Sequence, residues 1–237
     1  MKRLLISIIL ASAMFSITAF AQSSKFDASW DNTVKMVHAY VDSDMASACL
    51  GDGTGTGTSG DPCILAEALM ATLDVAQQKD LLIGVSAQIG LHTLTQAKGK
   101  NTEPSLGSAT ASGSVNVTLE LRDPDTGAVV QTAAPGQVTF ASRLQELKVD
   151  VTDTDTDFLT EVTVSLLLDT TAAHHFNFIG VDLDQGVYDV VAVFDLSAFV
   201  AIVGEDAIAE AKVTLGPRMV TVQEVRAAKD SLTIYVP

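Results

Sequence analysis

The chain has 237 residues and carries 29 acidic against 14 basic side chains, a formal charge of -15 at pH 7. A surface that acidic repels nucleic acid and anionic lipid, so nucleic acid is excluded as a partner. Hydrophobic residues make up 47% of the chain, ample for the core of one large domain, whereas aromatics are 5% with a single Trp, thin for a sugar-stacking platform.

The first element is a leader. Lys2 and Arg3 precede an apolar run from Leu4, which ends at Ala19-Phe20-Ala21. That order of charge, apolar run and small residues predicts a secretory signal peptide over residues 1–21. Its removal makes the remaining chain about two charges more negative. Gln22 and not Cys follows the predicted cut, so no lipid-bearing cysteine begins the mature chain. An uncleaved anchor is the alternative reading, but no basic stop-transfer flank follows. No later stretch approaches the ~20 apolar residues of a spanning helix. Residues 22–237 are therefore expected to form one exported domain in the periplasm, at the cell surface or outside the cell, with no membrane insertion after cleavage.

Next comes "SWDNTVKMVHAYVDSD", which sets Trp30, Val34, Val37 and Val41 on one helical face yet also alternates loosely as a strand. "CLGDGTGTGTSGDPC" follows, residues 49–63, and holds both cysteines. A phosphate loop requires a Lys after its glycines, and none follows here. Asp52 and Asp61 alone are too few for calcium, which takes six to eight oxygens. In an exported chain the paired cysteines predict a Cys49–Cys63 disulfide closing a flexible loop. Asp61 and Pro62 then resemble a helix start for "DPCILAEALM".

From here the pattern is period two. "ALMATLDV" and "LLIGVSAQIGL" flank "AQQKD" as a hairpin would, and "SLGSATASGS" has the composition of a loop or linker. "SVNVTLELRD", the turn "DPDTG" and "AVVQT" read as a second hairpin. "ELKVDV" buries Leu147, Val149 and Val151, and "FLTEVTVSLLLD" buries Val162, Val164, Leu166 and Leu168. "GVYDVVAVFDL" is a strand buried on both faces. "AEAKVTL" and "RMVTVQEV" are separated by a Gly216-Pro217 turn, and "SLTIYV" closes the chain. Roughly nine or ten short strands predict an all-β, antiparallel β-sandwich, with room for one or two short N-terminal helices.

Chemistry is sparse. Ser86 in "GVSAQ" lacks the second glycine of a nucleophile elbow and sits within a strand. The four histidines are His38, His92, His174 and His175, with no H-E-x-x-H. Neighbours on a strand face opposite ways, so His174 and His175 do not share an ion, and His174 shares its face with Phe176 and Phe178. Acidic residues are too abundant for any one carboxylate pair to point to glycoside hydrolysis. "DTDTDF" places Asp153, Asp155 and Asp157 at the spacing that opens an EF-hand, but Phe158 replaces the Gly and Val164 the closing Glu. With Glu161 nearby they form a weak Ca²⁺ candidate, and a solvated acidic turn is the preferred reading. No cofactor is expected otherwise. Two functions remain: a non-catalytic structural or interaction protein whose partner is itself or another surface protein, and a secreted hydrolase or ligand-binding sandwich with a loop-built site. The first is favoured.

Overall fold

Alternation of apolar and polar residues governs the chain, and among the described residues eleven strands follow from it: β1 (Phe26–Asp31), β2 (Lys35–Asp42), β3 (Met45–Gly51), β4 (Cys63–Val75), β5 (Lys79–Lys100), β6 (Ser105–Arg122), β7 (Val129–Thr132), β8 (Val138–Val151), β9 (Glu161–Leu183), β10 (Gly186–Val203) and β11 (Ile208–Val225). They are seen in a computed structural model that describes residues 25–76, 79–100, 105–151, 161–204 and 206–225. One sheet runs β3-β2-β11-β5-β9, with β1 paired to β11 beyond the end of β2. The other runs β4-β10-β6-β7, with β8 paired to the remaining length of β6. Neighbours pair antiparallel throughout, and the two sheets stack as a β-sandwich. Between them lie Ile83, Val85, Leu119, Phe178, Phe194 and Val213, all fully buried.

One flank of the sandwich is laced shut. The Cys49–Cys63 disulfide joins edge strand β3 to edge strand β4. Asp27 of β1 accepts the Thr72 amide at 2.9 Å, Glu224 accepts the Ala76 amide at 3.1 Å, and Lys25 Nζ donates to the Asp74 carbonyl at 2.6 Å. The buried Arg218 side chain reaches Asp31 at 2.6 Å and Glu67 at 3.5 Å. On the opposite flank β8 is pinned to the facing sheet by Gln145, which bonds Thr93, Thr95 and the Leu166 carbonyl, and by Arg143, which donates to the Leu91 and Leu168 carbonyls.

Several sequence expectations change. Among the described residues there is no helix: residues 26–31 and 35–42 are strands, with Val37 and Val41 inward but Trp30 and Val34 exposed. The segment that follows Asp61 and Pro62 is a strand from Cys63 and not a helix, because Leu69, Ala71, Leu73 and Val75 take the inward positions opposite β10. β4 and β5 do not form a hairpin; they enter different sheets. "SLGSATASGS" is no linker but lies almost wholly in the first half of β6. The Gly216-Pro217 turn is instead a register break between Leu215 and Arg218 inside one continuous strand. Such an irregularity re-phases a strand: Ala211, Val213 and Leu215 point inward before it, and Arg218, Val220 and Val222 after it. The hairpin across "DPDTG" is present, with Glu120 opposite Thr132 and the Asp123 carboxylate accepting the Asp125 and Thr126 amides. "SLTIYV" lies outside the described residues.

Candidate functional site

The cysteine-closed loop is the first candidate, and its hydrogen bonds define it. Thr54 and Ile64 exchange backbone bonds, Thr56 and Gly57 donate to the Asp61 carbonyl, and the Val200 amide donates to the Gly57 carbonyl. Gly51, Gly55 and Gly57 have φ of 85°, 121° and 80°, the left-handed region where glycine is at ease. The glycines thus serve the path of the chain. Asp52 and Asp61, weighed above as calcium ligands, accept the Met36 and Thr56 amides at 3.0 Å each. The disulfide is formed as expected. The expected flexible tip is instead a lobe bonded within itself and to β10.

The acidic candidate, Asp153, Asp155 and Asp157, lies outside the described residues. Among the described residues no group of three or more His, Cys, Asp or Glu is arranged to hold a metal ion.

A polar row crosses the outer face of the larger sheet. His38, Lys212, His92 and Asp169 are direct register partners on β2, β11, β5 and β9. Glu210 Oε1 gathers them, 3.0 Å from His38 Nε2, 3.1 Å from Lys212 Nζ and 4.0 Å from His92 Nε2. The lysine already occupies the place a cation would take, so the row is an ion-pair cluster. His38 Nε2 is buried, with the Glu210 carboxylate beside it as its partner. Burial holds the His38 imidazole below its ordinary value of 6.5 against the pull of Glu210. Burial pushes Glu210 upward, yet the bond and charge of Lys212 with the two imidazoles bring it net below 4.5.

Both shifts act in the same direction on stability. His38 binds fewer protons folded than unfolded once the pH falls below 6.5, so acidification favours the unfolded chain. Glu210 contributes stability that is present above 4.5 and is lost as the pH falls through its lowered folded value. The melting temperature is therefore expected to fall between about pH 7 and about pH 5, with His38→Gln flattening the slope. Thermal melts of both proteins across that range check this, and equal slopes refute it.

Ser86 acquires partners that sequence reasoning missed. Its Oγ lies 2.8 Å from His175 Nδ1, and His175 Nε2 lies 3.1 Å from Asn177 Oδ1. Serine, histidine and an amide in a chain suggest a nucleophile with its base. The three are cross-strand and i+2 neighbours on a flat sheet face. Ser86 sits between β11 and β9, so nearby amides are spent on ladder bonds, not aimed at a developing oxyanion. The row is a polar ladder. His174, on the other face, is half-buried with its ring 6.1 Å from that of Phe140, as the alternation required.

Apolar surface is the remaining feature. Trp30 and Met219, 68% and 40% exposed, help line a shallow hollow of about 480 Å³ with Ser86, Gln88, Ala173 and Pro217. Beside it runs β9, which among the described residues pairs with β5 and otherwise only through the bridge between Ile179 and Ala134. Residues 162–173 are exposed throughout. Val162, Val164, Leu166 and Leu168, expected to be buried, are instead 38–42% exposed, and Leu167 on the other face is 57% exposed. At this end Gln145 and Arg143 of β8 reach the Leu166 and Leu168 carbonyls from the facing sheet, but among the described residues nothing covers the apolar side chains.

No family model matches the chain, and no curated protein matches it. Solved structures that align with it include infectious bursal disease virus of the Gx strain, at 9% identity and a TM-score of 0.12, over 84% of this chain and 64% of that chain. T=1 particles derived from infectious bursal virus align at 9% identity and a TM-score of 0.12, over 87% of this chain and 64% of that one. The chain spans under two thirds of those viral chains, and scores of this size define no common fold.

Proposed function

We propose that the chain is an exported, non-catalytic structural or interaction protein that engages a protein partner through its uncovered sheet edge. The observation that carries this reading is β9, a 23-residue edge strand exposed on both faces over residues 162–173. Natural edge strands are blunted by charge, proline, bulges or covering segments. The flank at β4 follows that rule, since side chains from β1 and β11 take its amides. β9 breaks it. An edge left open in this way offers main-chain bonds for affinity and alternate side chains for selectivity. Export rests on the leader of residues 1–21 and fits the disulfide. Chemical cross-linking of intact producing cells, followed by fractionation, tests the reading. The expected result is a leader-free protein outside the cytoplasm, captured in a larger cross-linked species. An uncleaved cytoplasmic protein, or one never captured, overturns it.

A further inference from the structure

We propose that the occupant of the β9 edge is a second copy of this chain, paired antiparallel about a two-fold axis at Leu167. This rests on the interaction reading above and names its partner. Ile179 exchanges both backbone bonds with Ala134, so its amide and carbonyl point away from β5. The β5–β9 register runs unbroken from Gly180 to Glu161, so every odd-numbered residue of that stretch turns its backbone outward. Pairing therefore couples odd residues with odd residues. The bridge at Ile179 closes the edge at its far end, and among the described residues no strand pairs with the outward side of the stretch from Glu161 to Asn177.

Charge narrows the register. Between Glu161 and Leu183 the strand has no Lys, Arg or Pro, and in the open stretch its only acidic residues are Glu161 and Asp169. An axis at Asp169 sets that carboxylate against its own copy, and an axis at Ser165 sets Glu161 against Asp169. Like charges directly opposite are destabilising. An axis at Leu168 puts Leu167 against Asp169, and one at Leu166 puts it against Ser165. With the axis at Leu167 the two exposed Leu167 side chains meet, Ser165 faces Asp169, Thr163 faces Thr171 and Glu161 faces Ala173. On the other face Leu166 meets Leu168 and Val162 meets Ala172, which covers the apolar residues that the fold leaves exposed. Elsewhere an excess of 15 negative charges repels one copy from another, which favours contact at this sparsely charged strip. The other long edge, β8, carries Arg143, Glu146, Lys148 and Asp150.

Sedimentation equilibrium of the leader-free protein over a range of concentrations tests the pairing. The expected result is a monomer–dimer equilibrium. Ser165→Lys, which meets Asp169 twice by symmetry, tightens it about tenfold, and Ser165→Asp loosens it by a similar factor. Thr163→Lys, opposite Thr171, leaves it nearly unchanged. Both positions are exposed in the monomer, and a melt of each variant confirms that it folds. A monomer at every concentration, a dimer indifferent to charge at residue 165, or equal tightening by Thr163→Lys overturns the proposal. If the protein is a monomer in solution but is captured in cells, the interaction reading stands and the second copy is excluded as its partner.

Discussion

Replacing Arg218 by alanine is expected to lower the unfolding free energy by about 3 kcal/mol, measured in urea melts. The register break at Gly216 and Pro217 turns this side chain inward, where it is 1% exposed between the sheets. Its Nη1 donates to the Thr33 carbonyl at 3.1 Å, and its Nη2 bonds Asp31 at 2.6 Å and lies 3.5 Å from Glu67. Nε is buried without a partner. Asp31 is set up to receive it: the Thr33 amide and hydroxyl, and then the guanidinium, hold its carboxyl below the usual carboxylate range despite some desolvation. One guanidinium thus joins β11 to the end of β1 and to β4 of the other sheet. Alanine removes these charged bonds and leaves a hole in their place. Arg218→Lys keeps the charge but not the planar fork, and should recover less than half of the loss. Lys35, 3.3 Å from Glu67 and 35% exposed, is the contrast. Its removal should change stability by at most about 1 kcal/mol, as surface pairs do. Equal effects from Arg218→Ala and Lys35→Ala would remove the guanidinium from its structural role.

What the sequence revealed and what it hid have physical reasons that separate residue by residue. The second half of β6 and the end of β8 were legible because large apolar residues alternate there. β10 was legible because its Val-rich run is long, although only one of its faces is fully buried and Val187 on the other is exposed. The first half of β6 was hidden because its inward face is Gly107, Ala109, Ala111 and Gly113, a composition that reads as linker. A Cβ on Gly113 would lie 2.6 Å from Val213 of the facing sheet, and one on Gly107 2.7 Å from the Lys98 carbonyl. The small residues let the two sheets approach closely, a tertiary demand that local pattern does not encode. β4 was ambiguous because Leu65, Leu69 and Leu73 satisfy a helical spacing as well as an alternating one, and pairing with β10 decides between them. At β9 the alternation was read correctly as a strand, yet burial did not follow. Alternation assigns a side chain to a face; whether that face is covered depends on the strand opposite. The ladder from Ser86 to Asn177 was invisible because its members are 89 residues apart in sequence and meet only through the β5–β9 register.

Removing the disulfide, as Cys49→Ala with Cys63→Ala, is expected to cost about 3 kcal/mol, the chain entropy regained by opening a loop of this size. The half-cystines are 14 residues apart, and Cys63 is fully buried while Cys49 packs against the core. The bridge does more than close its own loop. It ties β3, the last strand of one sheet, to β4, the last strand of the other, on the flank where the sheets are held together. The loop it encloses carries the Gly57 carbonyl that receives the Val200 amide near the end of β10. With the bridge gone, that bond and the Thr54–Ile64 pair must hold the lobe alone. Thiol counting of the denatured, unreduced parent should find no free thiol, and reductant should bring its unfolding midpoint to that of the double variant. Agreement between those two midpoints assigns the loss to the bond and not to the substituted side chains. A double variant as stable as the parent would mean that the backbone bonds of the lobe suffice, and that the bridge constrains nothing the sheets do not already hold.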